Sequence, residues 1–247
     1  MTTAIRRARR WLPVVAVVLA AGAAVPPGGT WARHYAVAQA VQFAVFAVVV
    51  PALVAIGWPA RSSPLRERRP STRAGRPGQP TVRASVSVLP FVALVIAWRL
   101  PVALRALDRD PILAAAELVT LVSAGTAVWL ELTSAVAARQ PLPRPLRAAM
   151  AAVAMWSIWV VAYVTGMSDA AGSAVRTGAL SAAADRQLAV AVLWAIPAAC
   201  FVPVVYTMLM RWLADRDGPD PAIAAPGPGG HLHSTFVTSR SPRGWRG

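Results

Sequence analysis

The sequence contains no lysine, few acidic residues and a single cysteine. All 25 basic residues are arginines, against ten Asp and Glu together, and charged residues make up only 14% of the 247 residues. Soluble domains usually have about 25% charged and about 45–50% apolar residues. Here the apolar fraction is 56% and the mean hydropathy is +0.51. This composition excludes an ordinary soluble domain and indicates a membrane protein, and the length suits one helical bundle.

Several kinds of chemistry are missing as well. The lone Cys200 excludes an intramolecular disulfide and any paired-thiol motif. HExxH, GxSxG and P-loop patterns do not occur, so the sequence predicts no catalytic residues and no enzyme. None of the three histidines lies deep in an apolar run, and His231 and His233 form only a weak pair near the C-terminus. We therefore predict no metal site and no cofactor from the residues.

Six apolar runs are present, and five of them reach the roughly 20 residues that a helix needs to cross a bilayer core. They cover approximately residues 11–25, 35–58, 84–104, 111–138, 148–167 and 187–210. These runs predict an all-α polytopic bundle of six transmembrane helices. The short first run, with Ala21-Gly22-Ala23 behind it, is alternatively a cleaved signal peptide. Pro51, Pro197 and Pro203 lie within spans and predict kinks there.

The arginines predict the orientation. Nineteen of the 25 lie in four segments that alternate with the spans, so the positive-inside rule places both termini in the cytoplasm. The predicted parts are an Arg-rich cytoplasmic N-terminus, a transmembrane domain containing a disordered cytoplasmic loop, and a disordered cytoplasmic tail: 1–10, 11–214 with 59–83, and 215–247. Such basic loops bind anionic lipid head groups. Because the arginines lie between spans, we expect no nucleic-acid partner.

Polar residues inside the spans are the candidate functional residues, since they are expensive to insert into a bilayer. Helical rise places five of them at one level near the outer surface: Gln42, Arg99, Glu117, Asp185 and Gln187. Two interpretations stay open. Either Arg99 forms an ion pair with Glu117 or Asp185 that fixes helix packing, or the level is a working site. Glu131, in the inner half, is given no role.

Three motifs lie within the predicted spans. Ala97-Trp98-Arg99-Leu100-Pro101 precedes a helix that contains Glu117, Gly125 and Trp129, and Asp185-Arg186-Gln187-Leu188 opens the last helix. The second helix runs from Gln42-Phe43-Ala44 through Pro51-Ala52-Leu53 to Gly57-Trp58-Pro59. Over roughly residues 34 to 214, these motifs resemble the bacterial cytochrome c oxidase assembly factor family of the CtaG type. The resemblance implies a multi-pass protein of a bacterial cell membrane, which agrees with the all-arginine composition typical of GC-rich bacterial genomes.

The resemblance also implies a function in oxidase assembly, with respiratory oxidase subunits as partners in the bilayer and copper as a possible cofactor. The positions of the family histidines are occupied by other residues here, namely Gln39, Phe43, Arg99, Ala114 and Leu118. A guanidinium has no lone pair to offer a metal and repels a cation, which argues against direct copper handling. We therefore expect a scaffold in oxidase assembly. The alternative is a small transporter or channel-like protein that uses the outer polar level as a binding site.

Overall fold

Helices make up the part of the chain that the computed structural model describes, which is residues 3–26, 28–58, 79–107, 109–133, 142–167 and 181–216. No strand occurs among these residues, so the all-helical prediction is confirmed. In chain order they are α1 (Thr3–Ala24), α2 (Gly28–His34), α3 (Ala36–Gly57), α4 (Gln79–Arg99), α5 (Pro101–Leu107), α6 (Pro111–Thr133), α7 (Arg144–Met167) and α8 (Ala182–Arg216). Most of the predicted loop and tail, residues 59–78 and 217–247, lies outside the described residues.

Five helices, α3, α4, α6, α7 and α8, are long and apolar enough to cross a membrane. A sixth candidate is the pair Arg9–Ala24 and Gly28–His34, which meet at a bend of 47° and pass the same test together. The described residues therefore hold five or six candidate spans, as expected for a multi-pass membrane protein. With 35 residues, α8 is about 50 Å long, which exceeds the roughly 30 Å of a bilayer core.

Three predicted boundaries shift in the structure. α4 begins at Gln79, so residues 79–83 of the predicted loop are helical. Pro80 is its second residue, and proline is favoured in a first turn because the N–H groups there have no acceptor within the helix. α1 begins at Thr3, inside the predicted N-terminal segment, and α8 runs to Arg216, two residues into the predicted tail. Arginine is a good helix former, so helices continue past the apolar runs that defined the predictions.

α3 lies at the centre of the bundle. More than half of its span residues are buried, 56% against 17% for α8. It packs against α1, α2 and α6, while α4 packs against α6 and α7. Phe43, Phe46 and Phe91 of α3 and α4 are buried, and Phe201 of α8 is buried against Trp129 of α6, with ring centroids 5.0 Å apart. These contacts lie within one compact unit, Met1–Trp212, and the end of α8 belongs to a second.

The hydrogen-bonding pattern of α3 changes just before Pro51. Residues Val45–Val49 form one π-helical turn between the α-helical parts Ala36–Ala44 and Val50–Gly57. Pro51 has no N–H to donate to the carbonyl four residues earlier, and a π turn is a common way for a helix to accommodate such a break. The irregularity predicted at Pro51 is therefore a π turn. The other two prolines lie inside the continuous helix α8.

Gly125 of α6 packs directly against this part of α3. A Cβ at position 125 would lie 2.6 Å from the carbonyl oxygen of Ala47 and 2.7 Å from Cγ of Pro51. Both distances are too short for any side chain, so α6 can approach α3 this closely only at a glycine. Gly125 thus sets the spacing of the central helix pair.

α1 is attached to the last turn of α3. Nε and Nη2 of Arg9 both donate to the carbonyl oxygen of Ile56, at 2.9 and 2.7 Å. Carbonyls at a helix C-terminus lack intrahelical donors and favour a cation. Beside this contact Pro13 packs on Gly57, where a Cβ would lie 2.6 Å from Cδ of the proline. The first predicted span is therefore part of the packing of the bundle.

Candidate functional site

The predicted polar level centres on Arg99, the last residue of α4. Arg99 is only 8% exposed. Its Cζ lies 4.0 Å from the centroid of the Phe43 ring, and its Nη2 donates to the backbone oxygen of Gln39 at 3.5 Å. Among the described residues its Nε has no hydrogen-bond partner. A cation over an aromatic face is stabilised by the ring quadrupole, so α3 supplies much of the compensation for this buried charge.

Glu117 is the acidic residue of the same cluster. It lies half-buried on α6 and attracts Arg99 electrostatically. Within the described part of the chain no direct ion pair joins the two side chains. Nearby, Nε1 of Trp98 donates to Oγ1 of Thr120 at 3.0 Å, which links α4 to α6 at this level. Glu117 is thus the acidic neighbour of Arg99, and the two side chains form no salt bridge in the described structure.

Asp185 binds backbone N–H groups of another helix. It is buried in the first turn of α8, where Oδ2 accepts a hydrogen bond from the N–H of Ala36 at 2.7 Å and Oδ1 accepts one from the N–H of Val37 at 2.9 Å. Tyr35, the residue that precedes α3, makes no side-chain capping bond. The carboxylate of α8 therefore caps the N-terminus of α3 from a different helix, and its charge also suits the positive end of the helix dipole.

The two glutamines of the predicted level do not join this cluster. Nε2 of Gln42 donates to the backbone oxygen of Ala23 at 3.1 Å, which ties α3 to the end of α1. Gln187 is exposed on α8. The structure thus brings together Arg99 and Glu117, places Asp185 at the same end of α3, and directs Gln42 towards α1.

A second charged contact lies at the opposite end of the bundle, and the sequence analysis missed it. Arg83 of α4 forms a salt bridge with Glu131 of α6, in which Nε donates to Oε1 at 2.9 Å and Nη2 donates to Oε2. Glu131 is buried. On α7, Nη1 of Arg147 donates to the carbonyl oxygen of Leu132 in the last turn of α6, at 3.2 Å. The sequence contains one signal for this contact, because Arg83 and Glu131 have opposite charges and lie at the same predicted inner level.

Metal ligands do not gather in the described ranges, where no group of three or more His, Cys, Asp or Glu side chains is placed to hold an ion. Nδ1 of His34 lies 2.7 Å from the backbone oxygen of Thr30. Cys200 is a half-buried free thiol. The tail pair His231 and His233 lies outside the described residues. The atoms around Arg99 that could bind a metal are carbonyl and carboxylate oxygens, and they lie beside a fixed positive charge.

These features define a class of protein first. Five or six apolar helices, joined at their ends by ionic contacts and hydrogen bonds, form a multi-pass helical membrane protein. The model of one family, the cytochrome c oxidase caa3 assembly factors (Caa3_CtaG), matches residues 2–215. The chain therefore belongs to this family, the resemblance found in its motifs is confirmed, and it is a membrane protein of cytochrome oxidase assembly.

Two further comparisons give no more specific information about the function of the chain. No curated protein matches the chain, and no solved structure matches it. Membership of an assembly-factor family indicates a non-catalytic role. The transporter alternative receives no support from the family match.

Proposed function

We propose that the chain acts as a scaffold in oxidase assembly, holding subunits of the oxidase within the bacterial plasma membrane rather than delivering metal to them. The family match supports the assembly role, and the family name points to oxidase components as partners. The apolar exposed sides of the outer helices, above all of α8, offer surface for contacts within the bilayer.

The topology that we propose has six spans with both termini in the cytoplasm. The arginine distribution supports this orientation. The contacts between helix ends fit the same alternation, because the first turns of α3 and α8 meet through Asp185 and the second turn of α1 approaches the last turn of α3 through Arg9. The packing of α1 supports counting it as a span that stays in the bundle.

The buried Arg99 is the observation that carries the scaffold proposal. Its charge is compensated inside the bundle by Phe43, the Gln39 carbonyl and Glu117, all on helices that pack against one another. A buried charge whose contacts all come from neighbouring helices fixes helix packing, even though its Nε lacks a hydrogen-bond partner among the described residues. This favours the first of the two interpretations of the polar level, a structural cluster.

Copper does not fit these residues. Cu(I) prefers thiolate, thioether and imidazole ligands, whereas the groups around Arg99 are an aromatic ring, a backbone carbonyl and a carboxylate. The guanidinium has no free lone pair and repels a second cation. We therefore assign no copper step to this chain.

Two measurements test the proposal. Deleting the gene in its host should lower the haem absorbance and oxidase activity of the membranes, and the wild-type gene should restore both; unchanged values would refute the assembly role. The purified protein should hold no stoichiometric copper after loading with Cu(I), while a family member with intact histidines serves as the loaded control. Stoichiometric copper in this chain would refute the metal-free scaffold.

A further inference from the structure

Three tryptophans form an aromatic cluster on the surface that α7 and α8 share: Trp156, Trp159 and Trp194. The rings of Trp159 and Trp194 stack with centroids 4.6 Å apart and planes 10° apart, and Trp156 meets Trp159 edge-on at 5.5 Å. The cluster is open to the outside of the bundle, since Trp156 is 57% and Trp194 is 41% exposed. Val153 and Val160, one turn either side of Trp156 on α7, are exposed as well, so a continuous stripe runs along the helix.

The depth of this cluster is unusual for tryptophan. Trp156 follows the central residue of the 23-residue apolar segment Arg144–Gly166, which places it about 1.5 Å from the middle of the span. Tryptophans on the surface of membrane proteins concentrate at the two membrane interfaces, where the ring is in hydrocarbon and the N–H reaches water or head groups. At the middle of the span the indole N–H can reach neither water nor lipid head groups, whichever way the chain is oriented.

The three indole N–H groups differ in whether they have a hydrogen-bond acceptor. Nε1 of Trp159 donates to the backbone oxygen of Trp194 at 3.2 Å. Nε1 of Trp156 and Nε1 of Trp194 make no hydrogen bond within the described part of the chain. A polar N–H without a partner is unfavourable in hydrocarbon. The cluster therefore presents donors at a depth where lipid chains offer no acceptor.

We propose that this face binds a transmembrane helix of an oxidase subunit, one that is apolar and carries a side-chain oxygen acceptor near the bilayer centre. The proposal rests on the assembly function and names the surface that would carry it out. Complementarity of partial charge selects this occupant over a second copy of the chain. Two copies related by a two-fold axis would place the same indole donors against each other, whereas an acceptor-bearing helix would satisfy them. The exposed stripe of Val153, Trp156 and Val160 has the spacing that a packed helix requires.

Site-specific photo-cross-linking in the host tests the surface. The photoreactive residue p-benzoyl-L-phenylalanine is placed at the position of Val160, which leaves all three indoles intact. The control position is Leu89, the middle residue of α4, which is 62% exposed. We expect an adduct from position 160 that contains a transmembrane peptide of an oxidase subunit, and none from position 89. Lipid adducts alone at position 160, an adduct with a second copy, or an adduct with an unrelated protein would each overturn the proposal.

A second variant tests the hydrogen bond. Trp156→Phe keeps an aromatic ring and removes the N–H, so the oxidase subunit that co-purifies should fall about three- to fifteen-fold, the range expected for one hydrogen bond between membrane helices. The melting temperature should not change, because the side chain is exposed. Undiminished co-purification would overturn the role of the N–H. If gene deletion lowers oxidase while position 160 labels only lipid, this inference fails and the assembly function stands.

Discussion

The ion pair between Arg83 and Glu131 predicts an unequal response to single and double substitution. The Glu131 side chain is 7% exposed, against 28% for Arg83. Replacing Arg83 alone would leave a buried carboxylate without this counter-charge, which is strongly unfavourable in a low-dielectric environment. Replacing both side chains with leucine would remove the desolvation penalty of both groups together with their attraction. We therefore expect the double variant to be more stable than the single one.

The expected loss in the free energy of unfolding follows from the geometry of the Arg83–Glu131 pair. Two charge-assisted hydrogen bonds join the side chains, each with a net contribution of about 1.5–3 kcal/mol. Because Arg83 is partly exposed at the end of the bundle, the lower values apply, and Arg83→Ala should lower the free energy of unfolding by about 3 kcal/mol. Arg83→Leu combined with Glu131→Leu should remain within about 1 kcal/mol of the parent protein.

Unfolding by SDS in mixed micelles, followed by circular dichroism, measures these free energies. The four proteins of the cycle (parent, Arg83→Leu, Glu131→Leu and the double variant) give the coupling energy, which should be at least about 2 kcal/mol. Arg105→Ala is the control, because Arg105 is exposed and bonds to the Pro101 carbonyl of its own short helix. Additive effects in the cycle would refute the view that the two charges stabilise the bundle as a pair.

Other substitutions should show graded effects in the same assay. Gly125→Ala should destabilise by about 1–3 kcal/mol because its Cβ would overlap the neighbouring helix, while Gly22→Ala, which has open space around it, should be neutral or slightly stabilising. Asp185→Ala should cost about 2–4 kcal/mol and Asp185→Asn less, since the amide keeps one acceptor; equal losses would contradict the capping role. Arg99→Ala should destabilise by at least about 2 kcal/mol more than Arg109→Ala, which removes an exposed charge; equal melting in detergent would argue against a structural Arg99.

The depth of a residue along its helix could be predicted from the sequence, because each residue adds a fixed rise. This placed Arg99 and Glu117 at one level, and the structure brings their charges into interaction. Rotation about each helix axis could not be predicted in the same way. Gln187 shares the predicted level but is exposed, and Gln42 bonds to α1. The direction of a side chain is set by packing against neighbouring helices, which a single sequence does not encode locally.

Two contacts escaped prediction for different physical reasons. The sequence predicts a loop at Arg83 because the apolar run begins at the next residue, whereas the helix begins four residues earlier, at Gln79. The sequence offers Asp185 as one of two possible ion-pair partners of Arg99 and gives no sign that its carboxylate also accepts hydrogen bonds from backbone N–H groups of α3. Sequence patterns predict a cap only from the residues next to the start of a helix. Asp185 is 149 residues away from Ala36, so no local pattern predicts this cap.

That distant cap has a consequence for how the protein is made. The N–H groups at the start of α3 are synthesised early, but the carboxylate that satisfies two of them arrives only with the last helix. Each intermediate on the ribosome therefore holds α3 with an open end, and closing it requires a loop that spans most of the chain, which makes it a late event. A chain truncated before α8 would keep those donors unmet. Completion of synthesis and completion of the fold are thus joined at one residue.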